Sequence, residues 1–192
     1  MAREDAPSAP VEVHHPQISL VGTVCDETVR QLRDGLKEAE KGEGPVTIEI
    51  STLGGDPEAA RRMILEVELA RERLSSRRLL FLGKTSVYSS GATFMAGFPR
   101  EDRFLTKDAT LLIHCRQLEK TIELSGPIRA SRAKLEAQLH EIDTGVELEV
   151  ENFERLIEGS DVAMDELLGK ALYNWYVPAE EALKRGLVAG IV

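Results

Sequence analysis

The sequence predicts an α/β fold, and three observations predict it. Short apolar or β-branched runs at 18–24, 46–51, 79–82 and 109–113 alternate with stretches whose apolar residues recur every three or four positions. Cap and turn residues punctuate these runs, at Asp26, at Gly54-Gly55-Asp56-Pro57 and at Gly186. The 192 residues suit one domain, and a domain near that length buries roughly 70% of its unfolded surface, enough for a core without a disulfide or metal staple.

Residues 1–16 carry charge, proline and small side chains, and are expected to form a flexible arm before a domain over 17–192. Ile18 to Val24 is the first strand; Asp26 then caps a helix whose Val29, Leu32, Leu36 and Ala39 share a face, ending near Gly42. Val46 to Ser51 alternates as a second strand. It runs into Gly54-Gly55, after which Asp56 is placed as N-cap and Pro57 as first helical residue of a helix to about Ser75. Leu79 to Leu82 is a buried strand, Ser90 to Gly97 a short apolar helix, and Ala109 to Ile113 a strand closing on His114. From Pro127 to about Ile157, Leu135, Leu139, Ile142, Val146, Val150 and Phe153 mark a helix too long for this domain to cover. Pro178 opens the last helix, Gly186 stops it, and Leu187 to Val192 is a closing strand.

Acidic residues outnumber basic ones, 33 to 24, and the basic ones are scattered along helices, which argues against nucleic acid and anionic membrane as partners. Cys25 and Cys115 form no CxxC pair and no histidine stands at ligand spacing, so no disulfide framework, metal site or cofactor is expected, and a reducing cytoplasm fits. No run approaches the ~20 apolar residues that span a bilayer, nor does the start resemble a signal peptide.

Three positions stand out chemically. Gly54-Gly55, between a strand and a capped helix, lets backbone N–H groups face a developing negative charge. Ser90 opens a small-residue helix, where its hydroxyl and the following Gly91 N–H suit one reacting carbonyl. His114, at a strand end, is placed to act as a general base. Each also has an ordinary structural account: a turn, an N-cap, a strand terminus. His14 and His15 in the arm and His140 on the long helix compete poorly.

The three together, in this order, resemble the proteolytic subunit of Clp protease. The motifs read Ile50-Ser-Thr-Leu-Gly-Gly55, Ser89-Ser90-Gly91-Ala92 and Leu112-Ile113-His114. The resemblance spans about Ile18 to Leu187 and implies a ClpP/crotonase-like fold of repeated β-β-α units. It also implies a protruding handle at about 116–158, made of a strand from Leu118 to Leu124 and the long helix. It further implies a serine peptidase with Ser90 as nucleophile, Ser89 as alternative, His114 as base, and the Gly55 and Gly91 N–H groups as oxyanion hole. Peptides or unfolded proteins would be the substrates, inside a homo-oligomer of stacked rings.

The pattern departs from the family at three places. The third triad member, an Asp in the family, matches Asn174, which can orient an imidazole but supplies no charge. At an effective dielectric of ~20 and ~4 Å that charge is worth up to ~4 kcal/mol, about a thousandfold in rate, so a slow enzyme is expected unless Asp161 or Asp165 approaches. The interval from Gly55 to Ser90 is several residues longer than the family's. The segment MAREDAPSAPVEVHHPQ shows no counterpart of the family's axial segment, which counts against an AAA+ ATPase partner. Two alternatives are an inactive ring subunit and a crotonase-like acyl-CoA hydratase or isomerase, whose group shares the fold and the backbone oxyanion hole.

Overall fold

The computed structural model describes residues 10–74 and 77–192. Residues 1–9 of the expected arm, and Ser75 at the expected helix end, lie outside the described residues. The described part of the arm is packed: Val11–His14 forms a 3-10 turn that buries Val13, and Thr47 Oγ1 donates to Glu12 O at 2.9 Å. Residues from Pro10 on therefore pack against the domain that was expected to begin at 17.

The elements alternate as expected of α/β. They are β1 (Ile18–Val21), α1 (Asp26–Ala39), β2 (Val46–Thr52), α2 (Pro57–Arg73), β3 (Leu79–Tyr88) and α3 (Ser90–Ala96). Then come β4 (Arg103–Leu105), β5 (Thr110–Ile113), α4 (Ile128–Ile157), α5 (Met164–Ala171), β6 (Trp175–Pro178), α6 (Ala179–Lys184) and β7 (Gly190–Ile191). Asp56 caps α2 as read, its carboxylate accepting the Glu58 N–H at 2.8 Å with Pro57 in the first turn. α1 differs slightly: Cys25 is the N-cap and Asp26 the first helical residue.

The seven strands form one sheet, parallel except for β5 against β6, with main order β1-β2-β3-β4-β7 and a side arm β3-β5-β6. β3 runs past the expected Leu82 to Tyr88, because Gly83 and Thr85 (φ 55°) let one strand bend into both arms. Its first half pairs with β2 and β4, its second half with β5. Similar breaks separate Ile50 from Thr52 and set a bridge between Val24 and Gly55. Strands and helices thus alternate through β3 and α3, and β4 and β5 then follow one another before α4. The side-arm segments end where the candidate site lies.

Two expectations in the handle region diverge. α4 is the long helix that the spacing predicts, and its 30 residues extend about 45 Å at 1.5 Å per residue. Leu118 to Leu124, expected to be a strand, pairs with nothing among the described residues and leaves Leu118, Ile122 and Leu124 exposed. Its alternation is real, but a strand needs a neighbour to bond. The three-residue β4 was not foreseen, since Arg103 breaks its apolar pattern.

That arginine is 2% exposed and makes no salt bridge among the described residues, although the charges of Glu158 and Glu101 act on it from further off. Its guanidinium donates instead to backbone carbonyls of Ala96 and Phe98 just at and beyond α3, of Arg155 and Leu156 at the end of α4, and of Leu187, at 2.7–3.4 Å. Helix C-termini carry partial negative charge and unpaired carbonyls, so the cation serves both helices at once. Burial pulls the group down to about 10, which still leaves it charged at neutral pH.

A second arginine ties α5 to α6. Arg185 donates to Asp161 at 2.6 Å and to both Glu166 oxygens at 2.9 and 2.8 Å. Hydrogen bonds from Arg185, then from Lys170, hold Glu166 at about 2, below the ordinary carboxylate value of 4.5. The folded value lies below the unfolded one, so this contribution is whole above the ordinary value and is lost as pH falls toward about 2. Melting temperature is expected to fall between pH 5 and pH 2, and Arg185→Gln to flatten that slope; an unchanged slope would contradict the assignment.

No helix among the described residues is long and apolar enough to cross a membrane. Among the described residues no group of three or more His, Cys, Asp or Glu side chains is placed to hold a metal ion.

Candidate active site

The side arm brings together residues far apart in sequence. Gly55, Ser89, Ser90 and His114 line one cavity of about 370 Å³, whose wall also includes Glu149 and Phe153 of α4. β3 delivers the serines: Ser89 N–H donates to Leu112 O at 2.8 Å, two residues before His114 on the neighbouring β5, and α3 begins at the next residue.

The two serines differ sharply in conformation. Ser89 has φ 53° and ψ −113°, a region nearly closed to residues with a side chain, at a cost on the order of 1–3 kcal/mol. Its half-buried hydroxyl has no hydrogen-bond partner among the described residues. Gly54 lies against it, since a Cβ there would stand 2.9 Å from the Ser89 Cβ. Ser90 sits in helical geometry, is 2% exposed, and its hydroxyl already donates to the Gly55 carbonyl at 2.8 Å. A hydroxyl so engaged anchors the turn and is not offered to a base. Of the two serines, it is Ser89, the strained residue at the strand-to-helix elbow, and not the expected Ser90, whose hydroxyl is unengaged among the described residues.

The backbone amides around the two serines also differ. The amide that follows Ser89 is that of Ser90, not Gly91. Gly91 serves packing, because a Cβ there would come 2.5 Å from the Thr52 methyl. Gly55 keeps its expected place: at φ 152°, a Cβ would meet the Val24 carbonyl at 2.2 Å, so only glycine fits. The bridge to Val24 uses Gly54 O (3.0 Å) and the Asp56 N–H (2.8 Å). The Gly55 and Ser90 N–H groups have no partner among the described residues.

His114 is half-buried, with Nδ1 2.7 Å from its neighbour's carbonyl, Cys115 O. A carbonyl only accepts, so Nδ1 carries the proton and the Nε2 lone pair is left for a substrate or nucleophile. Asn174 does not hold the ring. The β5–β6 ladder ends at Ile113–Trp175, one residue short of His114 and Asn174. Asn174 is exposed at φ 61°, with its N–H turned to Ala171 O, and it does not line the cavity. Asp161 is bound to Arg185, Asp165 is exposed, and neither lines the cavity. The orienting acceptor is a backbone carbonyl where the expected acceptor was an amide side chain.

Sequence reasoning missed the contribution of α4. Glu149, Asn152, Phe153 and Leu156 share one helical face and line the cavity. Their signal was a mixed polar and apolar face ending an otherwise apolar stripe. Glu149 accepts the backbone N–H of Arg116. Burial and then the Glu149 charge push the Cys115 thiol up, which keeps it protonated and a poor nucleophile beside His114.

No protein-family model matches the chain, and no curated protein matches it.

Proposed function

We propose that the chain is a serine peptidase of the Clp proteolytic-subunit type, with Ser89 as nucleophile. One observation carries this reading: a strained serine with an unengaged hydroxyl shares a cavity with a histidine whose Nε2 is free and with two unpartnered amides. The mostly parallel α/β sheet is compatible with it. Ser89 Oγ adds to a peptide carbonyl while its proton passes to His114 Nε2, and the oxyanion takes the Gly55 and Ser90 N–H groups. The C–N bond then breaks, His114 returns the proton to the leaving amine, and water repeats the sequence on the acyl-enzyme. Among the described residues no carboxylate touches the imidazole, so turnover is slow relative to a full triad. The test is a fluorophosphonate probe with the labelled residue located by mass spectrometry. Modification at Ser89 supports the reading and its absence overturns it.

The Glu149 carboxylate in the same cavity favours a second reading, acid–base chemistry on an acyl-CoA of the crotonase kind. Such an enzyme would leave the probe unreacted. Two free cysteines, Cys25 and Cys115, fit a reducing cytoplasm in either case.

The proposed assembly is a homo-oligomer of stacked rings, in which a second copy covers α4. Leu135, Leu139 (60% exposed), Ile142 and Val146 form an uncovered row along it, beside the unpaired segment Leu118 to Leu124. An unpaired extended segment next to an apolar stripe suits a copy of itself, because both then find partners of the same kind. Sedimentation is expected to show an oligomer, and the double substitution Ile142→Glu, Val146→Glu to yield monomer with peptide turnover greatly reduced. A monomeric parent protein would contradict this.

A further inference from the structure

We infer that Glu149 selects the substrate: the cavity takes a peptide whose residue on the acyl side of the scissile bond carries a cationic side chain, lysine or arginine. This rests on the peptidase reading above and names its substrate class.

Two charged side chains of opposite sign, Arg116 and Glu149, line the cavity. Their situations differ. The Arg116 guanidinium is drawn to Glu58, 2.8 Å away on α2. Burial raises Glu58, yet hydrogen bonds from Arg116 and Arg61 outweigh it and hold the carboxyl low, so this ion pair is matched within the protein. Glu149 has no cationic side chain in salt-bridge contact among the described residues; it accepts hydrogen bonds from the Arg116 backbone N–H and the Cys115 thiol, neither of which carries a charge. The cavity therefore presents one negative charge without a balancing cation. Its field already reaches the residue after His114, where it helps push the Cys115 thiol up.

The rest of the wall fits a long side chain with a charged tip. Leu53, Pro57, Phe153 and Leu156 line the same space and give the methylene stem of lysine or arginine an apolar surface, while Glu149 receives the head group. A leucine in that position would cover the wall but leave the carboxylate desolvated and unpaired. A glutamate would meet a like charge.

The experiment compares N-acylated tripeptide amides that differ only at the last residue, lysine, norleucine or glutamate, with the parent protein and with Glu149→Gln. The expected order of kcat/KM is lysine over norleucine by about tenfold or more, with glutamate lowest, and the lysine preference falls as salt rises. Glu149→Gln should bring the lysine to norleucine ratio close to one, chiefly through KM. A norleucine preference in the parent protein, or a ratio unmoved by Glu149→Gln, overturns the inference. Fluorophosphonate labelling separates the two failures: label on Ser89 without a lysine preference removes only the specificity, and no label removes the peptidase. As a second measurement, Ser89→Ala protein should bind the lysine peptide more tightly than the norleucine one in calorimetry; equal binding also counts against the role of Glu149.

Discussion

Ser89→Ala is expected to abolish fluorophosphonate labelling and to lower peptide turnover by at least about a thousandfold, whereas Ser90→Ala keeps the label. The contrast follows from what each hydroxyl does. Ser89 Oγ is unengaged at a strained elbow, and removing it takes away the nucleophile while leaving the backbone in place. Ser90 Oγ donates to Gly55 O, so its loss removes one buried hydrogen bond, about 1 kcal/mol of stability, and loosens the loop that holds the Gly55 amide. Turnover by Ser90→Ala should fall modestly, within about tenfold, as expected for an oxyanion donor held less firmly. The two variants read by mass spectrometry and kinetics decide the matter: label lost in Ser90→Ala but kept in Ser89→Ala would return the nucleophile to Ser90.

Arg103→Met is expected to cost about 3–5 kcal/mol of folding stability, the range for removing one partner from a buried charged network. Methionine keeps much of the volume and the unbranched stem, so the loss reports the guanidinium. Carbonyls of Ala96, Phe98, Arg155, Leu156 and Leu187 would lose the cation together, and those at the ends of α3 and α4 would face one another uncompensated. Lysine offers no rescue of this kind, since one ammonium cannot span donors that a planar fork presents in several directions. Urea denaturation of both variants provides the measurement, and a midpoint within error of the parent protein would show that water replaces the arginine at no cost.

The sequence was most legible where a local rule decides the outcome. Asp56 and Pro57 begin α2 because a side-chain acceptor and a fixed φ act within one turn. The α4 spacing needs no partner to be read, and His114 at the end of an apolar strand falls at the cavity as its position implied. Legibility failed where the answer is a backbone angle or a direction. Ser89 and Ser90 are chemically identical in sequence; only the φ of Ser89 and the Gly55 carbonyl beneath Ser90 tell them apart. Asn174 lies one residue outside the β5–β6 ladder, as His114 does, but it is exposed with a left-handed backbone and does not line the cavity. Leu118 to Leu124 alternates like a strand and lacks a neighbour among the described residues, so the pattern alone does not make it a strand of this domain.

β5 and β6 are hydrogen-bonded neighbours although residues 114–174, with all of α4 and α5, lie between them. Most antiparallel neighbours meet through a tight turn; these must find each other across a long excursion, which makes their pairing a late and slow event in folding. Until β6 docks, β5 has only one ladder, and the Leu112 carbonyl that pins Ser89 belongs to an edge. Partial opening should therefore release the elbow while the main arm stays closed, so that heat or denaturant silences the serine before the core melts.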